Sequence, residues 1–313
     1  SDDLPLNISR EILQKNKTID SIRSGVTRKV IELLSKLAKT EPDKFKICWQ
    51  EFGRVLKEGV VDETSDKKEE LARLFRFSST QNNSDEQRAP ASLTKLMTSY
   101  VVFKRLKEEF ISLDDEVKIS EKAWKTGGSR SFIEIGKLIK LEDLLMGMII
   151  QSGNDASVAL SEHVAGSEGT FVLFMNEYAL DLGMDNTNFE NASGLPHDNQ
   201  YTSARDIAIL SSAIIREFPD FYQWYSQKEF TYNNIRQSNR NKLLWSDATV
   251  DGLKTGYTEK AGYCLVTSAN RVGMRLISVV LGSDSPTVRV SETQKLLDYG
   301  FRFFETQSID DVS

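Results

Sequence analysis

The chain changes character near residue 88, and that break constrains its folding more than any other feature. Residues 1–87 hold only Gly25, Gly53 and Gly59 of the 18 glycines and none of the six methionines. The same stretch carries 16 basic and 16 acidic residues, so the net charge of -6 belongs wholly to the remainder. Two compositions within 313 residues predict two bodies rather than one continuous core. Between them Ser78–Gln87 is polar and has the chemistry of a linker.

Periodicity sorts the two parts. Ile22, Val26, Val30, Leu33, Leu34 and Leu37 recur at three- and four-residue steps and predict one helical face. Phe45, Cys48, Trp49, Phe52, Val55 and Leu56 predict a second helix, with Pro42 in its first turn and Gly59 at its end, and Leu71, Leu74 and Phe75 a short third. Beyond residue 88, helices are expected over about 92–107, 141–150, 155–164, 169–182 (closed by Gly183) and 204–217 (opened by Ser203 with Asp206). The period then changes. Residues 228–232, 250–257, 261–269 and 274–282 read as consecutive strands, followed by a helix over about 286–304. The expected class is α/β of the α+β kind, a mainly antiparallel sheet flanked by helices.

Composition narrows the chemistry. A net charge of -6 and a pI near 5.3 predict no nucleic-acid partner. Two cysteines, Cys48 and Cys264, form no disulfide framework, and two histidines, His163 and His197, make no His-rich metal site, so no metal and no cofactor are expected. No apolar run approaches the roughly 20 residues of a membrane span. No signal-peptide pattern follows Ser1, which predicts earlier processing or truncation. His163 is expected in a helix, His197 as a turn former, Trp124, Trp224 and Trp245 as packing residues and Cys264 as core.

Three short motifs occur in order: Ser92-Leu93-Thr94-Lys95, Ser152-Gly153-Asn154 and Lys254-Thr255-Gly256. Each is weak alone, because Ser65–Lys68 and Lys125–Gly127 match two of them by chance. In a helix, residues three apart share a face, so the Lys95 amine can sit beside the Ser92 hydroxyl. That amine must be neutral to act as a base; burial and a neighbouring cation, for which Lys254 is the candidate, would depress its pKa. A helix start at Pro90-Ala91 would also offer free N–H groups to an oxyanion. Ser152 and Asn154 would present a hydroxyl and an amide between two helices, and Gly256 would let a substrate approach its strand.

With these residues in place, the stretch 88–306 resembles the serine D-alanyl-D-alanine carboxypeptidases, low-molecular-mass penicillin-binding proteins. The likeness extends over Gln151–Ala156, Tyr201–Asp206, Asn239-Arg240-Asn241, Val250–Gly256 and Tyr299–Thr306. It implies a transpeptidase-like fold and a peptidoglycan pentapeptide ending in D-Ala-D-Ala as substrate, with β-lactams as inhibitors. It further implies Ser92 as nucleophile, Lys95 as its base and Ser152 as proton relay beside Lys254. Asn154 would hold the substrate, the Ser92 and Tyr257 backbone N–H groups would form the oxyanion hole, Gly256 would be part of the substrate-binding strand, and Thr255 and Arg240 would grip the terminal carboxylate. Many relatives carry His where Tyr257 stands, and the implied location is the periplasm or cell envelope. A β-lactamase is the alternative inside the enzyme class, disfavoured because no deacylating glutamate motif is evident.

Residues 1–87 resemble part of the middle domain of the heat-shock-90 chaperone of bacteria, through Ser1–Gln14, Trp49–Gly53 and Leu74–Thr80. In that family the arginine matching Arg10 reaches ATP held by a separate domain, and Gln14 belongs to the same loop. That domain has no counterpart here, so ATP is not an expected partner, and a non-catalytic chaperone fragment is the reading from a different class. Both resemblances are partial: strands preceding Ser92, a C-terminal β domain and a membrane anchor of the carboxypeptidases have no counterpart, and 307–313 reads as a tail. The chain is therefore expected to be a chimera with an uncovered sheet edge.

Overall fold

The computed structural model describes residues 84–305 and isolated positions between 29 and 45. The chain divides into two compact units, 1–78 and 79–313. In the first, Lys29, Leu33, Leu34, Lys36, Leu37 and Thr40 are helical, as the spacing predicts. Leu34 and Leu37 are half-buried, but Leu33 is 55% exposed, so the apolar stripe is narrower than its sequence suggests. The Phe45 amide donates to the Glu41 carbonyl at 3.0 Å. The rest of the expected second helix, and the third, lie outside the described residues.

The second unit is a mixed α/β body. Its leading helix α1 (Thr94–Lys107) grows from a 3₁₀ turn, Ala91–Leu93, and is buried from Thr94 to Phe103. A small antiparallel pair, β1 (Glu116–Lys118) and β2 (Leu138–Lys140), encloses the one-turn helix α2 (Glu121–Lys125). Helix α3 (Leu141–Met146) runs on into a π-helical turn, Gly147–Gln151, and α4 (Asn154–Ala165) and α5 (Glu168–Asp181) follow. Gly183, at φ 75°, ends α5, and its successor Met184 donates back to the Ala179 carbonyl at 2.9 Å. Helix α6 (Ala204–Glu217) is capped as expected: Ser203 Oγ accepts from Asp206 N at 3.1 Å.

After the short helix α7 (Pro219–Tyr222) comes a hairpin, β3 (Glu229–Tyr232) and β4 (Ile235–Ser238). Only its first strand is legible as periodicity. Its turn is Asn233-Asn234, with φ of 50° and 59°, the left-handed pair that a type I′ turn needs and that asparagine tolerates. Helix α8 (Leu243–Ser246) then leads to the main sheet: β5 (Val250–Thr258), β6 (Gly262–Arg271) and β7 (Met274–Ser283), antiparallel and in sequence order. Helix α9 (Pro286–Phe303) closes the fold.

The sheet separates two apolar clusters, and strand alternation assigns side chains to each. On one face Leu253, Cys264 and Val266 join the large core of α1, α4, α5 and α6, with Ile277, Val279 and Leu281 packed against it. On the other, Val250, Leu265 and Ala269 meet Leu297 of α9, with Leu276 against them. Central β6 is buried over most of its length, whereas β7 is half-exposed and pairs only with β6 among the described residues, as an uncovered edge would.

Not every side chain follows expectation. Cys264 is fully buried, His163 lies on α4 bonded to Asp115 at 3.1 Å, and His197 Nδ1 accepts from Asn199 N in a turn. Trp224 packs against Phe103 and Phe221. Trp124 and Trp245, however, are 38% and 44% exposed, because each sits on a one-turn helix with an open outer face. Ser84 and Arg88, at the end of the linker-like stretch, are bonded into this unit: Arg88 exchanges two backbone hydrogen bonds with Thr202, and Ser84 O accepts from Arg205 N. Leu297→Ala, emptying the centre of the smaller cluster, should cost about 2–5 kcal/mol in urea unfolding, well above a surface substitution.

Candidate active site

Loops, helix ends and strands of the second unit meet in a cleft of about 600 Å³ lined by Ser92, Ser152, Asn154, Arg240, Thr255, Gly256 and Tyr257. Gly128, Ser129, Ser193 and Arg289 complete its wall. Ser92 lies in the 3₁₀ turn that opens α1, after Ala91 at φ 47°. That left-handed conformation costs a residue with a Cβ of order 1 kcal/mol or more and is held by the close packing around it. One turn on, Lys95 is 1% exposed. Its Nζ donates to Ser92 Oγ at 3.1 Å, to Asn154 Oδ1 at 2.7 Å and to the Ser193 carbonyl.

The environment determines the state of that amine. Burial first and the Arg240 guanidinium second, opposed by the Asp155 carboxylate, together lower the Lys95 pKa to about 7. Arg240 is thus a second neighbouring cation beside the expected Lys254, whose amine is itself repelled by Lys95. Lys254 is itself only 3% exposed, and burial first, then Lys95, Arg240 and Arg289, hold its amine well below the ordinary range. Its Nζ donates to the Thr255 carbonyl at 3.2 Å.

Ser152 ends the π-helical turn at φ 65°, ψ 36°, and its buried Oγ has no hydrogen-bond partner among the described residues. A buried hydroxyl without a partner is costly unless something occupies its vicinity. Asn154 opens α4: its Oδ1 takes Lys95, and its Nδ2 donates to the Gly127 carbonyl at 2.7 Å, leaving one N–H for a ligand. Arg240 is placed by its neighbours. The Asn239 amide donates to the Tyr225 and Gln227 carbonyls and the Asn241 amide to Gly252 O, so both asparagines are buried and the exposed arginine between them faces the cleft. No carboxylate pairs with it among the described residues.

The β5 edge forms the opposite wall. A methyl group at Gly256 would lie 3.1 Å from both Ser92 N and Ala91 Cβ, so only glycine lets strand and nucleophile turn approach this closely. Tyr257 stacks on its cross-strand partner Tyr263 at 4.2 Å. Arg289, on α9, reaches under the strand to the Gly256 and Cys264 carbonyls. Of the chance matches, Ser65–Lys68 lies outside the described residues; Lys125 ends α2, and of the Lys125–Gly127 match only Gly127 meets the site, through its carbonyl. Sequence reasoning missed Ser193, Asp155 and Arg289. Ser193 acts through its backbone and leaves no motif, and Arg289 reads as one more helical cation.

A serine and a buried amine one turn apart face a glycine-bearing edge strand beneath a helical body, an arrangement found in the penicillin-binding fold. Comparison with known proteins supports this. Residues 79–285 match the family model described as D-alanyl-D-alanine carboxypeptidase, and the chain belongs to that family. It is 50% identical over 233 residues to the D-alanyl-D-alanine carboxypeptidase DacC of Escherichia coli, covering 72% of this chain and 58% of that protein. The crystal structure of penicillin binding protein 5 from Haemophilus influenzae superposes with a TM-score of 0.70 at 48% identity, over 72% of this chain and 67% of the other. That of penicillin binding protein 6B from Escherichia coli gives 0.67 at 46% identity, over 69% and 71%. The chain therefore spans little more than half the length of its curated relatives. Residues 1–101 match the model described as Hsp90 protein, and the chaperone HtpG of Methylococcus capsulatus is 41% identical over 146 residues, 47% of this chain and 21% of that one. The chain is an apparent chimera of the two.

Gly194, at φ 83°, offers a check on the packing. A Cβ there would fall 1.9 Å from the Ala91 carbonyl oxygen, whereas one at Gly127 would meet nothing within 4 Å. Gly194→Ala should lower unfolding stability by about 2–4 kcal/mol, while Gly127→Ala should stay within about 0.5 kcal/mol of the parent.

Proposed function

We propose that residues 88–306 form a serine-type D-alanyl-D-alanine carboxypeptidase of the cell envelope, joined to a helical 1–87 segment that takes no part in catalysis and binds no ATP. The observation that carries this reading is the Lys95 amine, buried, lowered to about 7 and bonded to Ser92 Oγ at 3.1 Å. Near neutrality about half of such amines are unprotonated and able to accept the hydroxyl proton.

The steps then follow from the geometry. Ser92 Oγ attacks the carbonyl between two D-alanines as Lys95 takes its proton. The oxyanion forms against the Ser92 and Tyr257 backbone N–H groups. Ser152, its hydroxyl uncommitted, relays a proton to the departing amine beside Lys254. The C–N bond breaks, D-alanine leaves, and an ester to Ser92 remains. Arg240, without a carboxylate of its own, and Thr255 hold the substrate's terminal carboxylate, and Asn154 directs its free N–H to the peptide. Water attacks the ester, restores Ser92 and releases the shortened peptide. β-Lactams open at the same serine and stall there.

A fluorescent penicillin should label the chain covalently and fail to label Ser92→Ala. Equal labelling of that variant would remove Ser92 as nucleophile, and rapid penicillin turnover without an adduct would indicate a β-lactamase instead. The pH dependence has a definite sign. Lys95 is protonated below about 7, so the labelling rate should fall roughly tenfold per pH unit on the acid side. Arg240→Gln removes a cation that disfavours the protonated amine, so the acid limb should move to higher pH; a limb that stays in place would remove Lys95 as the base.

A further inference from the structure

Asp155 is fully buried in the first turn of α4, yet no ammonium or guanidinium bonds its carboxylate among the described residues. Its oxygens take backbone N–H groups instead. Ser131 N donates to Oδ1 at 2.8 Å and to Oδ2 at 3.0 Å, and Ala156 N donates to Oδ1 at 2.9 Å. A carboxylate at a helix N-terminus is favourable in itself, but the bond to Ser131 reaches 24 residues away.

The segment so bound is the loop after α2. Gly128 and Ser129 line the cleft, the Ser129 carbonyl accepts from Asn154 N at 2.7 Å, and the Gly127 carbonyl accepts from Asn154 Nδ2 at 2.7 Å. The fit is close: a Cβ at Gly153 would fall 1.9 Å from Ser131 Oγ, and one at Gly128 would fall 2.6 Å from Asn154 Nδ2. Three contacts in succession thus tie the loop to the turn carrying Asn154. Only the one at Asp155 uses a side chain other than Asn154 itself.

We propose that Asp155 is a positioning residue of the acyl-transfer site: its carboxylate staples the loop Gly127–Ser131 to the first turn of α4 and so holds the Asn154 amide against Lys95 Nζ. This rests on the acyl-transfer reading above. With the staple in place, Asn154 Oδ1 faces the amine and its Nδ2 is fixed by Gly127, so the amide cannot flip. The charges around Lys95 come from three further elements: Arg240 after β4, Lys254 on β5 and Asp155 on α4. Asp155 alone among them favours the protonated amine, a smaller influence than burial and Arg240.

Asp155→Asn in the full chain separates these effects from a general loss of structure. Amide hydrogen exchange of peptides spanning 127–133 should quicken at least about tenfold relative to the parent, a measurement independent of activity. The plateau rate of fluorescent-penicillin labelling should fall about tenfold, and its acid limb should move down by on the order of one pH unit because the carboxylate no longer favours the ammonium. Asp155→Glu, which keeps the charge but displaces Ser131, should lose plateau rate without moving the limb. Unchanged exchange protection in Asp155→Asn overturns the staple, as does a parental plateau rate or an unmoved limb in a parent that labels. If Asp155→Asn does not fold, a parental plateau or a moved limb in Asp155→Glu overturns it equally. Failure of the parent to label sinks the acyl-transfer reading while the exchange result still decides the staple.

Discussion

The dehydrated amine of Lys95 is the constraint on which the rest of the second unit depends. An alkylammonium inside a protein must either find acceptors or lose its proton. Here it does some of both. Its three acceptors come from a 3₁₀ turn, a helix N-terminus and a loop backbone, which obliges those elements to converge. The convergence explains the local irregularities: Ala91 and Ser152 in left-handed conformations, Gly194 against the Ala91 carbonyl, and Gly153 against Ser131. Each is an unfavourable local choice held by its surroundings, and together they place two serines, an amide and an arginine around one cleft.

Much of this was legible in the sequence because it is written locally. The Ser203 cap, the Gly183 stop and the change from helical to strand period all act within a few residues, and the corresponding elements lie close to where the pattern puts them. A helical turn fixes Ser92 and Lys95 together, whereas Ser152, Asn154 and Lys254 come from other elements and were joined to them only by the family resemblance. What was not legible depends on distant partners. The Ser193 carbonyl meets Lys95 across 98 residues through its backbone. Asp155 reads as an ordinary first-turn acid, and nothing nearby hints that its partner is a loop amide. Arg240 was not foreseen as a second cation near Lys95, since spacing cannot show that the residue between two buried asparagines faces the cleft. The three-residue strands β1 and β2 are too short for any period to show.

The two sequence types meet differently from what composition suggests. Ser78–Gln87 has the composition of a linker, yet its last residues, from Ser84 on, are bonded into the second unit. Arg88 pairs with Thr202, and Arg205 holds Ser84 and Asp85 beside the N-terminus of α6. The family models overlap in the same region, at 79–101. Composition averages over many residues and cannot resolve such a strap; specific backbone partners can.

The lowered amine also has a thermodynamic cost. A lysine that titrates at 10.5 in the unfolded chain and near 7 in the folded one destabilises the fold by about 4–5 kcal/mol below neutrality, a penalty that shrinks as pH rises from about 7 and is gone above 10.5. Lys254 adds to it in the same direction. Selection for thermal endurance alone would therefore push both positions toward methionine or leucine and leave a sturdier, chemically inert shell.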